Sequence, residues 1–224
     1  MPCRYNGKVC HGGFCGVHKR QHKTVPKKYA LVLFCGTKSV DRVLEAAGYT
    51  VISLDINKKV DPTILSDILK WDYTEFPRGY FDTIWASPLC TEYSKAKTKG
   101  VRNLELADSL VLRTLEIIKH FNPRQWFIEN PQTGLLKTRS FMAGLTYYDA
   151  DYCKYGFTYR KRTRFWTNKP NLKLSLCNKD CGMMDGNKHI NSCGNGNKCY
   201  CRDTITLDQK YSIPPNLIKA LALG

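Results

Sequence analysis

The chain has 224 residues, of which 42% are hydrophobic, so its length and composition fit one domain of ordinary size with small appendages. Lysine and arginine number 35 against 19 acidic residues, and the net charge of +16 indicates a polyanionic partner. We interpret that partner as nucleic acid and not a membrane, because no basic amphipathic helix is apparent. No apolar run approaches the ~20 residues of a membrane span and no secretory segment begins the chain, so we expect a soluble intracellular protein.

The eleven cysteines indicate metal binding or catalysis rather than disulfides, because the intracellular compartment is reducing. They form one cluster near each end of the chain, with three single cysteines between the clusters. Cys35 and Cys153 are each expected to be a small buried residue, whereas Cys90 follows an apolar run on a polar loop.

Residues 1–23 lack a periodic apolar face and are rich in glycine, cysteine, histidine and lysine. Four soft metal ligands occur there in the pattern C-x6-C-x4-C-x2-H, namely Cys3, Cys10, Cys15 and His18. A segment this short needs an external source of folding energy, which a structural zinc ion supplies. We predict an N-terminal zinc-binding segment, with a disordered basic tail as the alternative, followed by a basic hinge at residues 24–28.

Apolar strands alternate with helices from residue 29 onward. Continuous apolar runs predict strands over 29–35, 49–55, 80–87 and 124–131, and helical spacing of apolar residues predicts helices over 40–47 and 103–121. This alternation is typical of an α/β fold with a doubly wound parallel sheet. Ligands of such sheets bind beyond the carboxyl ends of the strands.

The alternation stops after about residue 170, where a block rich in cysteine, glycine and asparagine begins. This block, at about 174–203, contains a second set of soft ligands: Cys177, Cys181, His189 and Cys193. We predict a second structural zinc loop, in which Cys199 or Cys201 is an alternative to Cys193. The loop interrupts a domain that spans 29–224 and closes with a short terminal helix.

The first two predicted strands end in residues suited to a nucleoside cofactor. Gly36 permits a tight turn after the first strand, and the carboxylate of Asp55 can accept hydrogen bonds from ribose hydroxyls after the second. A dinucleotide site carries three glycines at this turn, whereas here Gly36 stands alone. The pattern favours a cofactor without a pyrophosphate, such as S-adenosylmethionine, with an ordinary βα turn and a surface acid as the alternative.

Three further groups predict nucleophilic chemistry at the same edge of the sheet. Cys90 follows the third strand on a loop with several lysines, whose charges are expected to stabilise a thiolate. Glu129 ends a neighbouring buried strand, where desolvation favours a protonated carboxyl. Arg162 and Arg164 alternate along an extended segment, so they share one face and could hold a phosphate or a carbonyl. Together these groups suit attack on an electron-poor heterocycle.

Six segments then carry a resemblance to a known family. In chain order they read LFCGT, LDI, ASPLC with a following serine, FIENP, RKRTR and IPPNLIKALA. In this order and spacing they resemble the motifs of DNA cytosine-5 methyltransferases. The likeness covers about residues 30–165 and the last dozen, and it is greatest to short phage- and giant-virus-type members that have threonine, glutamate, tyrosine and serine after the cysteine.

The resemblance implies a Rossmann-like class I methyltransferase fold and S-adenosylmethionine-dependent methylation of cytosine C5 in double-stranded DNA. It implies that Cys90 attacks C6 of a flipped-out cytosine and that Glu129 protonates or hydrogen-bonds N3. Arg162 and Arg164 would clamp the base and the loop. The implied cofactor-binding residues are Phe34, Gly36, Thr37, Asp55, Ile56, Asp67, Ile68, Ser87, Pro88 and Asn216.

Two other functions are compatible with the same residues. One is methylation of RNA cytosine with the same fold and chemistry. The other is a catalytically inactive, zinc-containing, nucleic-acid-binding protein, which Leu89 favours because the family has proline before the nucleophile. A viral member of the family would work in the host cytoplasm or nucleus.

Overall fold

The computed structural model describes residues 4–5, 8–9, 27–191 and 205–224. The strands are β1 Arg4–Tyr5, β2 Lys8–Val9, β3 Lys28–Leu33, β4 Tyr49–Asp55, β5 Ile64–Leu65, β6 Thr83–Ala86, β7 Gln125–Pro131, β8 Tyr147–Asp151, β9 Arg162–Thr167, β10 Met184–Asp185 and β11 Lys188–His189. The α-helices are α1 Ser39–Ala46, α2 Leu104–Phe121, α3 Leu207–Tyr211 and α4 Pro215–Ala222. Several short 3₁₀ turns connect them, including one over Tyr152–Tyr155.

A mixed, mostly parallel sheet forms the centre of the molecule, in the order β5-β4-β3-β6-β7-β9-β8. The five strands from β5 to β7 are mutually parallel, whereas β9 and β8 pair antiparallel at the edge. The predicted α/β class with a mainly parallel sheet is therefore confirmed. The antiparallel pair at the edge was not predicted.

The predicted helices and inner strands lie close to their predicted positions. The long helix α2 begins one residue later than expected, after Asn103, whose side chain accepts a hydrogen bond from the Leu106 backbone N–H at 3.0 Å. It ends at Asn122, which adopts a left-handed conformation with φ of 47°. A polar N-cap and a left-handed C-cap satisfy backbone groups that the helix leaves unpaired.

Side chains that alternate along the strands build one core on each face of the sheet. Leu31 and Ile84 belong to the core on the face covered by α2. Val32 and Trp85 belong to the core on the opposite face, which α1 and α4 cover. Because both faces are covered, apolar residues occupy both faces of the central strands, which is why their runs were recognisable in the sequence.

The Cys-rich block contains a small hairpin, in which β10 and β11 pair antiparallel with Met184 opposite His189. It is attached to the body of the protein by Asn191, whose backbone and side-chain amides both donate to Thr158. In the part of the chain that the structure describes, no helix is both long and apolar enough to span a membrane.

Candidate active site

A cavity of about 520 Å³ lies at the carboxyl ends of the parallel strands. Its volume falls within the range of roughly 300–1,000 Å³ that is usual for small-molecule sites. The residues that follow β3, β4 and β6 line it, together with the end of β7, so the sheet brings together segments that are far apart in the sequence. This is the position at which α/β sheets of this kind bind their ligands.

The turn after β3 forms one end of the cavity. Phe34 and Gly36 both have positive φ angles, 58° and 46°, and the backbone N–H of Gly36 donates to Asp55 Oδ2 at 3.0 Å. Asp55 Oδ1 accepts from the backbone N–H of Asn57 at 2.9 Å. A carboxylate has about four lone-pair positions, so these two bonds fix Asp55 and leave acceptor capacity for a ligand.

The other end of the cavity is formed by the loop that carries Cys90. The buried side chain of Asn130 donates to the backbone carbonyl of Pro88 at 3.1 Å, and the indole of Trp85 donates to Ser87 Oγ at 3.2 Å. Leu89, directly before Cys90, is 45% exposed and lines the cavity. The loop is therefore fixed through the residues on its N-terminal side.

Beyond Cys90 the loop is held by its own polar groups. The carboxylate of Glu92 accepts from Lys97 Nζ at 2.6 Å and from the backbone N–H of Asn103 at 2.7 Å. The guanidinium of Arg102 donates to three backbone carbonyls of the same loop. Lys97, one of the lysines expected to stabilise the thiolate, is thus paired with Glu92 instead.

Glu129 lies on the wall of the cavity near Cys90, with only 7% of its surface exposed. Its Oε1 accepts a hydrogen bond from the hydroxyl of Tyr152 at 3.2 Å and lies 3.9 Å from Lys161 Nζ. Burial, followed by the charge of Glu129, raises the pKa of Tyr152 well above its ordinary value, so this hydroxyl stays protonated and donates a hydrogen bond. The same lysine lies over the Tyr152 ring, 4.9 Å from its centroid.

The environment of Cys90 favours the protonated thiol in the free protein. Burial is the main cause, and the negative charge of Glu129 adds to it, so the pKa of Cys90 is raised above its ordinary value. Lys161 opposes this shift and lines the same cavity. The cation that acts on the thiol is therefore Lys161, which was not predicted from the sequence; the predicted Arg162 and Arg164 follow it in the chain.

Arg162 and Arg164 share one face of β9, as predicted, but that face is not the face of Glu129. Glu129 is opposite Phe165 in the β7–β9 register, whereas Arg164 is opposite Asn130. Each arginine makes a two-bond ion pair with an aspartate of β8, Arg162 with Asp151 and Arg164 with Asp149, at 2.7–3.0 Å. Neither arginine is among the residues that line the cavity.

A second cluster of reactive groups lies outside the cavity. The side chains of Cys153, Cys177, Cys181 and His189 place three sulfur atoms and one imidazole nitrogen within 4.8 Å of one another. These four donors could hold a metal ion. Cys153 is buried as expected, but its thiol is part of this cluster and not merely a small apolar group.

A comparison with known proteins decides the family. The chain is 31% identical over 215 residues to a Frog virus 3 (isolate Goorha) protein named "Probable DNA (cytosine-5)-methyltransferase", and the match covers 85% of this chain and 97% of that protein. The chain belongs to the DNA (cytosine-5)-methyltransferase family. The resemblance found in the sequence motifs is thereby confirmed, and no family model matches the chain.

One solved methyltransferase structure shares the fold at low sequence identity. A methyltransferase from Entamoeba histolytica, EhMeth, superposes with a TM-score of 0.50 at 13% identity, over 67% of this chain and 56% of that one. The S. pombe Dnmt2 methyltransferase gives a TM-score of 0.48 at 15% identity, over 69% of this chain and 54% of that one. The chain thus spans little more than half the length of these two solved methyltransferases.

Within this methyltransferase chain, most of the residues predicted to bind cofactor line the one cavity. These are Phe34, Gly36, Thr37, Asp55, Ile56, Asp67, Ile68, Ser87 and Pro88. Asn216, the tenth, is exposed near the start of α4 and is not among the lining residues. Tyr211 and Ile213 line the cavity from the preceding segment instead; Ile213 begins the motif IPPNLIKALA, whereas Tyr211 lies outside the six motifs.

The metal ligands predicted from sequence divide into two groups. Cys177, Cys181 and His189 are brought together, and Cys153 joins them from 24 residues upstream of Cys177. The remaining predicted or alternative ligands, Cys3, Cys10, Cys15, His18, Cys193, Cys199 and Cys201, lie outside the described residues. The N-terminal zinc segment stays a prediction.

We predict that charge changes on the cavity wall shift the pKa of Cys90 in opposite directions. Lys161→Met removes the stabilising cation, so the pKa rises and alkylation of Cys90 by iodoacetamide slows at a fixed pH below the pKa. Glu129→Gln removes the negative charge, so the pKa falls and alkylation accelerates. The measurement is the rate of Cys90 alkylation between pH 7 and 10, read by mass spectrometry of the Cys90 peptide.

Lys95→Met is the matched control, because this lysine is exposed on the loop that follows Cys90. Its removal should leave the pH dependence unchanged. If Lys95→Met slows alkylation as much as Lys161→Met does, the loop lysines control the thiol and the assignment to Lys161 is wrong.

Proposed function

We propose that this protein methylates cytosine at C5 in DNA, using S-adenosylmethionine and a transient covalent bond between Cys90 and C6 of the base. The observation that carries the proposal is that one cavity contains both the Gly36–Asp55 end and the pair formed by Cys90 and Glu129. A nucleoside-binding end and a nucleophile with a buried acid are the two parts that this reaction requires. Family membership supports the same conclusion.

The cavity fits the cofactor that the family implies. Its walls are mainly apolar, with Val32, Phe34 and Ile68 among them, and Asp55 and Asp67 are among its polar lining residues. Asp55 is held by two backbone N–H groups with acceptor capacity to spare, which suits ribose hydroxyls. When bound, S-adenosylmethionine supplies an electrophilic methyl group.

Cys90 acts as the nucleophile in this proposal. In the occupied site Cys90 loses its proton to water and its thiolate adds to C6, which forms an S–C6 bond and breaks the C5=C6 double bond, so that C5 becomes nucleophilic. After C5 is methylated, its proton is lost to water, the double bond re-forms and the S–C6 bond breaks. The raised pKa of the resting thiol is consistent with a nucleophile that is activated only when the base is in place.

Glu129 takes up a proton as the base enters the cavity, and it stabilises the adduct by donating that proton or a hydrogen bond to N3 of the base. The hydroxyl of Tyr152 donates a hydrogen bond to Oε1 of Glu129. This contact fixes the orientation of the carboxyl group and therefore the position of Oε2. Lys161 lies close enough to compensate negative charge on either Glu129 or Cys90. Glu129, Tyr152 and Lys161 form a polar group in a largely buried region, where electrostatic interactions are stronger than in water.

The nucleic-acid substrate is supported by charge and by the chemistry of the site. A net charge of +16 favours a phosphate backbone, which contributes most of the non-specific affinity of such proteins. C6 and C5 of a paired cytosine are inaccessible to a nucleophile inside the stack, so the base must be flipped into the cavity. We choose DNA because the Frog virus 3 relative is named "Probable DNA (cytosine-5)-methyltransferase".

We predict that DNA containing 5-fluorocytosine traps the protein covalently in the presence of S-adenosylmethionine, because fluorine cannot leave as the C5 proton does. The wild-type protein should shift to a slower-migrating complex on a denaturing gel. Cys90→Ala should not shift, and Glu129→Gln should shift at least ~10²-fold more slowly, the usual scale for losing a general acid.

The same assay separates the other functions. Trapping on fluorinated RNA but not on DNA would establish RNA as the substrate. Absence of trapping on both would contradict the proposed reaction and support a nucleic-acid-binding protein in which the loop of Leu89 is inactive. Trapping by Cys90→Ala would exclude this cysteine as the nucleophile.

We predict that Asp55→Ala weakens binding of the demethylated cofactor product tenfold or more, about 1.4 kcal/mol, because charged hydrogen bonds to the ribose are lost. Asp55→Asn should lose less, since its amide oxygen still accepts. Isothermal titration calorimetry gives the affinities. Thermal unfolding checks that each variant is still folded, because Asp55 also accepts a hydrogen bond from Gly36. Glu45→Ala, an exposed acid of α1, is the control. Unchanged affinity in Asp55→Ala would place the cofactor elsewhere.

A further inference from the structure

The four-donor cluster has the composition of a structural zinc site. Three thiols and one imidazole are a common ligand set for zinc, which they bind in a tetrahedron. With Zn–S bonds of about 2.3 Å, thiolates in such a tetrahedron lie roughly 3.8 Å apart. The observed donors all lie within 4.8 Å of one another, and Cys177 Sγ is 3.4 Å from His189 Nε2. Small side-chain movements therefore suffice to close the site.

The backbone around these donors also suits metal binding. The N–H of Lys179, which has a φ angle of 67°, donates to Cys177 Sγ at 3.3 Å, a contact that stabilises charge on sulfur. Gly182, directly after Cys181, also has a positive φ angle. The β10–β11 hairpin brings His189 back to these cysteines. A segment with so little apolar core needs an additional source of stability.

We propose that Cys153, Cys177, Cys181 and His189 bind one zinc ion, with Cys153 as the fourth ligand. Cys153 belongs to the body of the methyltransferase domain, in the 3₁₀ turn that follows β8. The other three ligands belong to the Cys-rich block. The ion therefore joins the block to the domain, rather than folding the block as a separate unit.

The turn that carries Cys153 also contacts the candidate active site. Tyr152, one residue earlier, donates its hydroxyl to Glu129. Asp151, the residue before that, accepts from the Cys177 backbone N–H at 2.8 Å and pairs with Arg162. Zinc bound at Cys153 thus fixes a three-residue segment whose middle member positions the carboxyl of Glu129. This second step rests on the proposed function.

The first experiment measures zinc in the full-length protein purified without chelator. Affinity from competition with a chromophoric chelator should fall at least ~10²-fold in Cys153→Ser and in Cys177→Ser, since even second-shell changes cost 10–100-fold. Cys35→Ser, which replaces a buried cysteine outside the cluster, should keep the wild-type affinity. The N-terminal ligands could hold another zinc ion. The quantity compared is therefore the number of zinc ions per chain that each variant loses relative to wild type.

The choice of Cys153 is tested against the cysteines that follow His189. Cys193→Ser, Cys199→Ser and Cys201→Ser should each retain the metal that Cys153→Ser loses. If one of them loses it and Cys153→Ser does not, the fourth ligand is wrong. If neither Cys177→Ser nor Cys181→Ser changes zinc content, there is no zinc at this cluster.

If Cys153→Ser fails to fold, maleimide labelling of the wild-type protein with and without chelator tests the same metal site. Chelation should expose Cys153, Cys177 and Cys181 together to maleimide, as measured for each peptide by mass spectrometry, while the labelling rate of Cys35 stays the same. Cys181 is only half-buried, so its protection before chelation would come from the metal. Labelling of Cys181 at the same rate with and without chelator would overturn the proposal.

The link to Glu129 is tested by combining chelation with Tyr152→Phe, which removes the hydroxyl and keeps the ring. Each change alone should slow 5-fluorocytosine trapping, and the two together should slow it no more than the larger one, because both act through one contact. Multiplicative effects would show that zinc does not act through Tyr152. If wild type does not trap at all, the proposed reaction fails, while the zinc measurements still decide the metal site.

Discussion

Two adjacent residues at the end of β7 must point to opposite faces of the sheet, and the arrangement of the site depends on this constraint. Glu129 faces the side of Tyr152 and Lys161, and Asn130 faces the side on which it binds the carbonyl of Pro88. One strand end thus holds both the buried acid and the loop that carries the nucleophile. A register slip of one residue would exchange the two faces and separate the acid from the thiol.

The same alternation, continued to the residue before β9, explains why a lysine lies beside Glu129. Arg162 and Arg164 take the other face, where they neutralise two aspartates of β8, one of which, Asp151, is fully buried. Burial works against the charge on Asp151, but the bonds from Arg162 and from the Cys177 backbone outweigh it and hold its pKa below the ordinary value. The arginines therefore stabilise the antiparallel edge of the sheet, and Lys161 faces the cavity.

The sequence predicted strands and helices well, because their positions depend on the local spacing of apolar residues. The strand over Tyr49–Asp55 and the helix over Leu104–Phe121 were recognisable because burial on a sheet and on a helix each leave a characteristic period. The faces of Lys161 and its neighbouring arginines were not predictable, since they depend on the β7–β9 register, which is a long-range property. Cys153 was missed as a donor for the same reason: it is brought to Cys177 by the return of the chain through β9.

The turn after β8 shows how one short segment can serve three partners. Along a strand, the side chains of Asp151 and Cys153 would share a face, whereas a 3₁₀ turn has about three residues per turn and directs consecutive side chains to different sides. The chain changes from strand to 3₁₀ turn between Asp151 and Tyr152. Asp151 can therefore bind Arg162, Tyr152 can bind Glu129, and Cys153 can join the cluster with His189. Any force that fixes one of these side chains restrains the other two, because all three share a single turn of backbone.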